Sequence, residues 1–221
     1  MFSKLSIRWL RVLCVSFFVT RMKLILASSS PRRAEVLRDA GLEFDVCPTD
    51  IDETRRPHER AGDYVQRLAL EKARAAASKT GGEDVAVVGA DTVVVNGGEI
   101  LLKPSSQEDA RRMLRGLSGS VHEVHTGLAV LRLPQKIERV LEEVTRVYFE
   151  KLSDAEIDAY IATGEPFDKA GAYGIQSLGG RYVTRVEGCY FNVMGMPLNK
   201  LWRILQELNG SASLAAGLIN L

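Results

Sequence analysis

The stretch KLILASSSPRRAEVL, Lys23 to Leu37, decides the fold. Residues 24–27 are a short apolar run that stops at three serines. Beyond Pro31 the spacing becomes helical, with Ala34, Leu37 and Ala40 on one side and Gly41 as the stop. A strand turning directly into a helix is the opening unit of an α/β domain. Ser30 falls at the N-cap and Pro31 at the first helical position, so backbone N–H groups and the positive end of the helix dipole face outward. Such an end is a seat for an anion. Ser28 and Ser30 add hydroxyls, and Arg32 and Arg33 add forked donors suited to phosphate oxygens. A capped helix carrying two solvated arginines is the plainer alternative. The stretch lacks GxxxxGK[ST] and is no P-loop.

Working outward, residues 42–47 read as a second strand, followed by a polar run to Gly62. Residues 64–79 form a helix with Val65, Leu68, Ala69 and Ala76 on one stripe and Arg67, Glu71, Arg74 and Ser78 on the other. Residues 85–95 read as a buried strand interrupted at Gly89-Ala90-Asp91-Thr92, and Asn96-Gly97-Gly98 turns into residues 99–102. Ser105 or Ser106 caps a helix running to Arg115, and residues 121–133 and 140–150 alternate like paired strands. Ser153 and Glu156 form a capping box for a helix ending at Ala162. A flexible glycine-rich loop (169–180), a strand (182–187) and an amphipathic helix (197–208) complete the pattern. The class is α/β with a mixed sheet.

A chain of 221 residues, 46% of them hydrophobic, suffices for one domain with a core. Five of the 29 bases lie in residues 1–23, which hold no acid, leaving 24 bases against 28 acids. A body with four excess acids is a poor match for a nucleic-acid backbone, where affinity comes mainly from phosphate neutralisation. Three scattered cysteines without a CxxC pair suggest neither a disulfide framework nor a zinc site, and fit the reducing cytoplasm. The apolar segment 9–19 is interrupted by Arg11 and too short to span a bilayer, so no membrane association is expected. Residues 1–21 are an extension, either a mis-set start or a leader; residues 22–209 are the domain and 210–221 a tail.

Several residues break their local pattern. Asp91 lies in VAVVGADTVVV, where a carboxylate is costly unless a cation or hydrogen bonds compensate it. A functional acid and an aspartate bonding backbone at a strand bulge both fit. Lys72, seven positions after Val65 and four after Leu68, falls on the apolar stripe of its helix, pointing into a cleft or snorkelling from the edge. Lys103 ends the hairpin strand, and Asp52-Glu53 is a carboxylate pair in the polar run. Gln176 could read a base edge through its paired donor and acceptor, or sit in a plain loop. His122 and His125 point to opposite faces of a strand, so a shared metal is not expected. A helix-start anion seat, cations and carboxylates able to hold Mg²⁺ or Mn²⁺ or to activate water suit phosphoanhydride hydrolysis.

The blocks LILASSSPRRAEVL, EKA around Lys72, GADTVV, LLKP around Lys103, SGSVHEVHTGLAV, DKAGAYGIQSLGG and NVMGMPLNKL resemble, in order, motifs of the Maf family of nucleoside triphosphate pyrophosphatases. The resemblance implies a Maf/HAM1-like fold, an elongated mixed sheet flanked by helices with a cleft between two lobes. It further implies a metal-dependent cut of an NTP between its α and β phosphates. On this resemblance Asp91 is the proton acceptor, and Ser28, Ser30, Arg33, Lys72 and Lys103 bind phosphate. Glu53 lies in the metal or water neighbourhood, so that Glu53 and Asp91 are the metal candidates. Arg32, Thr92 and Gln176 match the branch acting on dTTP and UTP, including modified pyrimidine nucleotides. The 7-methyl-GTP branch typically carries tryptophan, GSDQ and glutamate at those places. The expected partner is a nucleoside triphosphate, with a homodimer allowed. A cell-division regulator acting by binding is the alternative, since the family was also named for septum formation.

Overall fold

The computed structural model describes residues 22–81 and 84–217. The expected extension over 1–21 and the end of the expected tail, 218–221, lie outside the described residues. Elements follow in the order β1 (Lys23–Leu26), α1 (Pro31–Asp39), β2 (Asp45–Val46), α2 (Ala61–Ala77), β3 (Val85–Asn96), β4 (Glu99–Leu101), α3 (Gln107–Leu117), β5 (Val121–Leu133) and β6 (Ile137–Phe149). After α4 (Asp154–Ala162) come three 3₁₀ turns, Glu165–Asp168, Ala170–Ala172 and Leu178–Tyr182, then β7 (Val183–Glu187), α5 (Tyr190–Val193) and α6 (Leu198–Gly217).

These strands make one mixed sheet in the order β2-β1-β3-β5-β6-β7, with β4 beside β3. β1 pairs in parallel with both β2 and β3, whereas β3, β5 and β6 run antiparallel. The chain leaves β1 through α1 to reach β2 on one side and returns through α2 to β3 on the other. The carboxyl end of β1, carrying Ser28 to Ser30, is therefore a topological switch point, where open α/β sheets form their binding crevices.

β3 explains where that crevice opens. β1 pairs only with its residues 85–88 and β4 only with residues 94–96, so among the described residues, positions 89–93 have no partner strand on that edge. On the other edge β3 pairs with β5 without a break from Val85 to Val95. The expected interruption at Gly89-Ala90-Asp91-Thr92 is thus absent: the strand is continuous and Asp91 sits on no bulge. Unbroken pairing with β5 supplies the backbone hydrogen bonds that a break would have lost.

α2 lies unusually close to this part of the sheet. A Cβ on Gly89 would overlap the Ala69 carbonyl, and a Cβ on Gly127, the cross-strand neighbour of Asp91, would overlap the Val65 carbonyl. Two glycines on the sheet and alanines 69, 73 and 76 on the helix let the backbones approach, and this carries Lys72 down to Asp91.

One lobe packs α1 and α6 on one face of β1 and β3, through Leu37, Leu201 and Leu205, with α2 covering the other face. The second lobe gathers α3, α4 and the 3₁₀ turns around Leu114, Phe149, Tyr160 and Tyr173. Caps fall as the side-chain chemistry requires: Ser106 accepts from the Asp109 N–H, and Ser153 and Glu156 form the capping box. Further expectations change. The second strand shrinks to Asp45–Val46, the second helix starts at Ala61, β6 starts at Ile137, the closing helix runs on to Gly217 through residues expected as tail, and the glycine-rich segment folds into 3₁₀ turns held by side-chain hydrogen bonds rather than a loose loop. Among the described residues no helix is long and apolar enough to cross a membrane.

Candidate active site

A cleft of about 630 Å³ opens at the switch point between the lobes. Ser28, Ser30, Arg32, Arg33, Glu53, Lys72, Asp91, Thr92, Lys103 and Gln176, all singled out from the sequence, line it. They come from the β1–α1 turn, the polar run before α2, the middle of β3, the end of β4 and the turn after Tyr173. Only the fold brings them together.

At the centre Lys72 Nζ lies 2.6 Å from Asp91 Oδ1 and 2.7 Å from Glu53 Oε1. Lys72 and Asp91 are both buried, so the lysine does not snorkel. An ammonium has three N–H donors, and these two carboxylates use two of them. Glu53 is held by its own carbonyl, which accepts from the Tyr64 hydroxyl at 2.8 Å. Burial, then the charges of Asp91 and Glu53, pushes the Tyr64 phenol up to about 12, so it stays a donor.

Arg33 is the second anchor. Its Nε donates to the Gly195 carbonyl (2.9 Å), Nη1 to Ser28 Oγ (3.1 Å) and Nη2 to Thr92 Oγ1 (3.2 Å). Donor accounting fixes the direction of the chain behind it. Thr126 spends its one hydroxyl proton on the Asn192 carbonyl at 3.1 Å. Thr92, 3.0 Å away, therefore donates to Thr126 and accepts from Arg33. All three acceptors of Arg33 are neutral. Burial pulls its pKa down while the charge of Asp91 opposes this, and arginine's ordinary value keeps it a cation. Among the described residues it has no ion-pair partner. A half-buried guanidinium whose hydrogen-bond partners are all neutral is compensated only by the more distant charges of Asp91 and Glu53, and an incoming anion would compensate it directly.

Ser30 stands at the α1 N-cap in extended conformation but makes no capping hydrogen bond with its side chain. Ser30 holds the N-cap position, and its side chain leaves the first-turn N–H groups uncapped. Lys103 is exposed and has no partner among the described residues. Across the mouth Arg32 donates to Asp168 through Nη1 (2.8 Å to Oδ2) and Nη2 (3.2 Å to the carbonyl), and Lys169 reaches Asp168 Oδ1 at 2.6 Å. The cleft wall thus carries five cations, Arg32, Arg33, Lys72, Lys103 and Lys169, against three acids, Glu53, Asp91 and Asp168. Its surplus is positive although the body of the chain is acidic.

His122 and His125 lie outside the cleft lining. His122 is buried against Phe149 and Tyr173, with Nε2 2.8 Å from the Tyr173 hydroxyl, and burial pulls it down to about 4, so it is neutral. His125 sits between Glu142 (2.5 Å) and Glu123 (3.3 Å). Sequence reasoning missed Thr49, Tyr64, Asp168, Lys169 and Tyr173 in the cleft wall. Tyr64 is masked by the apolar stripe it begins, and no spacing rule links Asp168 to Arg32, 136 residues earlier.

Among the described residues no cluster of three His, Cys, Asp or Glu could hold a metal unaided. The donor chemistry nevertheless fits one. Asp91 and Glu53 share one ammonium, and the Thr49 hydroxyl, in the same segment as Glu53, is buried without a partner. Mg²⁺ commonly takes only one or two carboxylates and completes its shell with substrate phosphates and water.

The α/β sheet thus sets a cation-rich cleft at its switch point, facing an acid pair. The family profile described as "Maf-like protein" matches residues 23–208, and the chain belongs to that family. It is 50% identical over 188 residues to a "dTTP/UTP pyrophosphatase" of Hahella chejuensis, covering 85% of this chain and 92% of that one. It is 51% identical to the protein of that name from Anaeromyxobacter dehalogenans (84% and 93%) and 47% identical to that of Escherichia coli O157:H7 (84% and 93%). Among solved structures it is similar to a Staphylococcus aureus Ham1 protein, TM-score 0.39 at 14% identity, over 57% of this chain and 71% of that chain.

Proposed function

We propose that the protein hydrolyses dTTP, UTP and modified pyrimidine nucleoside triphosphates between the α and β phosphates, giving the monophosphate and diphosphate. One observation carries the reading: Arg33, a cation whose hydrogen-bond partners among the described residues are all neutral, faces the same cleft as the carboxylates bridged by Lys72. A triphosphate would supply the direct ion-pair contact that Arg33 lacks among the described residues. The first-turn N–H groups of α1, the hydroxyls of Ser28 and Ser30, Arg33, Lys103 and the third N–H of Lys72 would cradle it. Asp91 takes the proton of a water whose oxygen bonds to the α phosphorus, while the bridging oxygen departs with diphosphate and its electron pair. Glu53 and Asp91 would hold Mg²⁺ or Mn²⁺, which when bound neutralises phosphate charge. Arg32, Thr92 and Gln176 select the base.

The names of the relatives support the pyrimidine substrate. Cys47 and Cys189 are free, which suits a cytoplasmic enzyme. Nothing in the cleft favours the binding-only cell-division role. The test is diphosphate release from a panel of dTTP, UTP, dCTP, ATP and GTP with Mg²⁺ or Mn²⁺. Preference for dTTP and UTP with the monophosphate as co-product is expected; inorganic phosphate as the sole product, or no turnover of either, would end the proposal.

A further inference from the structure

The segment that carries Gln176 is held at its ends through one carboxylate outside the cleft lining, while Gln176 itself donates through Nε2 to Glu35 Oε2 at 3.5 Å. Glu165 follows Gly164, whose φ of 77° turns the chain out of α4. Glu165 Oε1 accepts from the Tyr160 hydroxyl (2.8 Å), the Ser177 hydroxyl (2.8 Å) and the Gly179 N–H (3.2 Å), and its Oε2 accepts from the Leu178 N–H (3.1 Å). The same Tyr160 oxygen accepts from the Gly174 N–H at 3.3 Å. Residues 174–179 therefore hang from the Glu165–Tyr160 pair at both ends, with Gln176 exposed on the cleft wall between them. Glycine is needed at 179, where a Cβ would press on the Tyr160 hydroxyl. The Glu165 carbonyl also accepts from Lys169 Nζ at 2.7 Å, tying a cleft cation to the same hub.

Only an ionised carboxylate satisfies all four donors, since a glutamine head would turn an N–H toward one of them. Burial pushes the Glu165 carboxyl up, but hydrogen bonds from Ser177, Tyr160, Gly179 and Leu178 outweigh it and hold it below the usual range.

We propose that Glu165, with Tyr160, is the positioning residue for base selection, fixing the segment from which Gln176 reads the pyrimidine edge. This rests on the reading of the cleft as a nucleotide pyrophosphatase site. The residues assigned to the phosphates and the water come from the β1–α1 turn, the run before α2, α2, β3 and the end of β4, and none hydrogen-bonds the Glu165 carboxylate, so Glu165 sets which base is accepted and leaves the chemical step alone.

The experiment compares the full chain with Glu165→Gln, Tyr160→Phe and Ser177→Ala, measuring kcat and KM for dTTP, UTP and GTP with Mg²⁺. For Glu165→Gln the preference for dTTP over GTP falls about tenfold through KM, the worth of a misplaced hydrogen bond to a base, with kcat near wild type. Tyr160→Phe and Ser177→Ala, which keep the carboxylate, lose part of that preference. An unchanged dTTP-to-GTP ratio in a folded Glu165→Gln, or an equal fall in kcat on every substrate, overturns the inference. If Glu165→Gln does not fold, the ratio in the two milder variants decides in the same way. A wild-type chain that turns over no pyrimidine triphosphate would overturn the function itself and this inference with it.

Discussion

Replacing Lys72 by methionine removes the ammonium and keeps most of the side-chain volume. Its contacts to Asp91 (2.6 Å) and Glu53 (2.7 Å) differ in worth. The Glu53 side chain is 59% exposed, and solvent screening limits its contact to about 0–1 kcal/mol. The Asp91 side chain is 12% exposed among valines, and stripping the cation from a buried carboxylate costs about 3–5 kcal/mol. A net loss of about 3 kcal/mol follows. In a domain of this size it lowers Tm by roughly 6–12 °C. The double variant Lys72→Met/Asp91→Asn leaves no uncompensated charge, so about 2 kcal/mol returns. Urea unfolding of the wild type, both singles and the double closes the cycle. A loss below about 1 kcal/mol for Lys72→Met, or a double variant no more stable than that single, would refute the claim that Lys72 is the buried counter-ion of Asp91.

Gly127→Ala should cost about 1–3 kcal/mol by pressing a methyl on the Val65 carbonyl and lifting α2, and should lower turnover with it; thermal melting and diphosphate release check both. Hydrogen bonds from Arg67 hold the Glu59 carboxyl at about 2 against an ordinary 4.5. Because the folded value is depressed, the stabilisation is complete above about 4.5 and drains away as pH falls toward about 2. Urea midpoints between pH 5 and 3 should fall less steeply in Glu59→Gln. Arg33→Met should raise KM for dTTP or Ki for diphosphate by roughly 10- to 100-fold, the worth of charge-assisted hydrogen bonds, as read in competition kinetics.

The β1–α1 unit was legible because strand, cap, proline and helix period sit in fifteen consecutive residues. Asp91 and Lys72 were legible as violations: a charge on an apolar stripe needs a partner, and here each is the other's. Their pairing was not, since it depends on how closely α2 approaches the sheet, a distance set by Gly89 and Gly127 in separate strands. The continuity of β3 is not legible because Gly-Ala-Asp looks like a breaker locally, while the β5 ladder that overrules it lies over thirty residues away. Arg32–Asp168 and the Glu165 hub join residues that no periodicity connects, so only tertiary structure reveals them.

The most direct measurement is single-turnover cleavage of dTTP with Mg²⁺ by wild type and Asp91→Asn, each saturated with substrate. Loss of a positioned base predicts a fall in the cleavage rate of about 10²- to 10⁴-fold. A variant that cleaves within about threefold of the wild type would show that Asp91 does not ready the water.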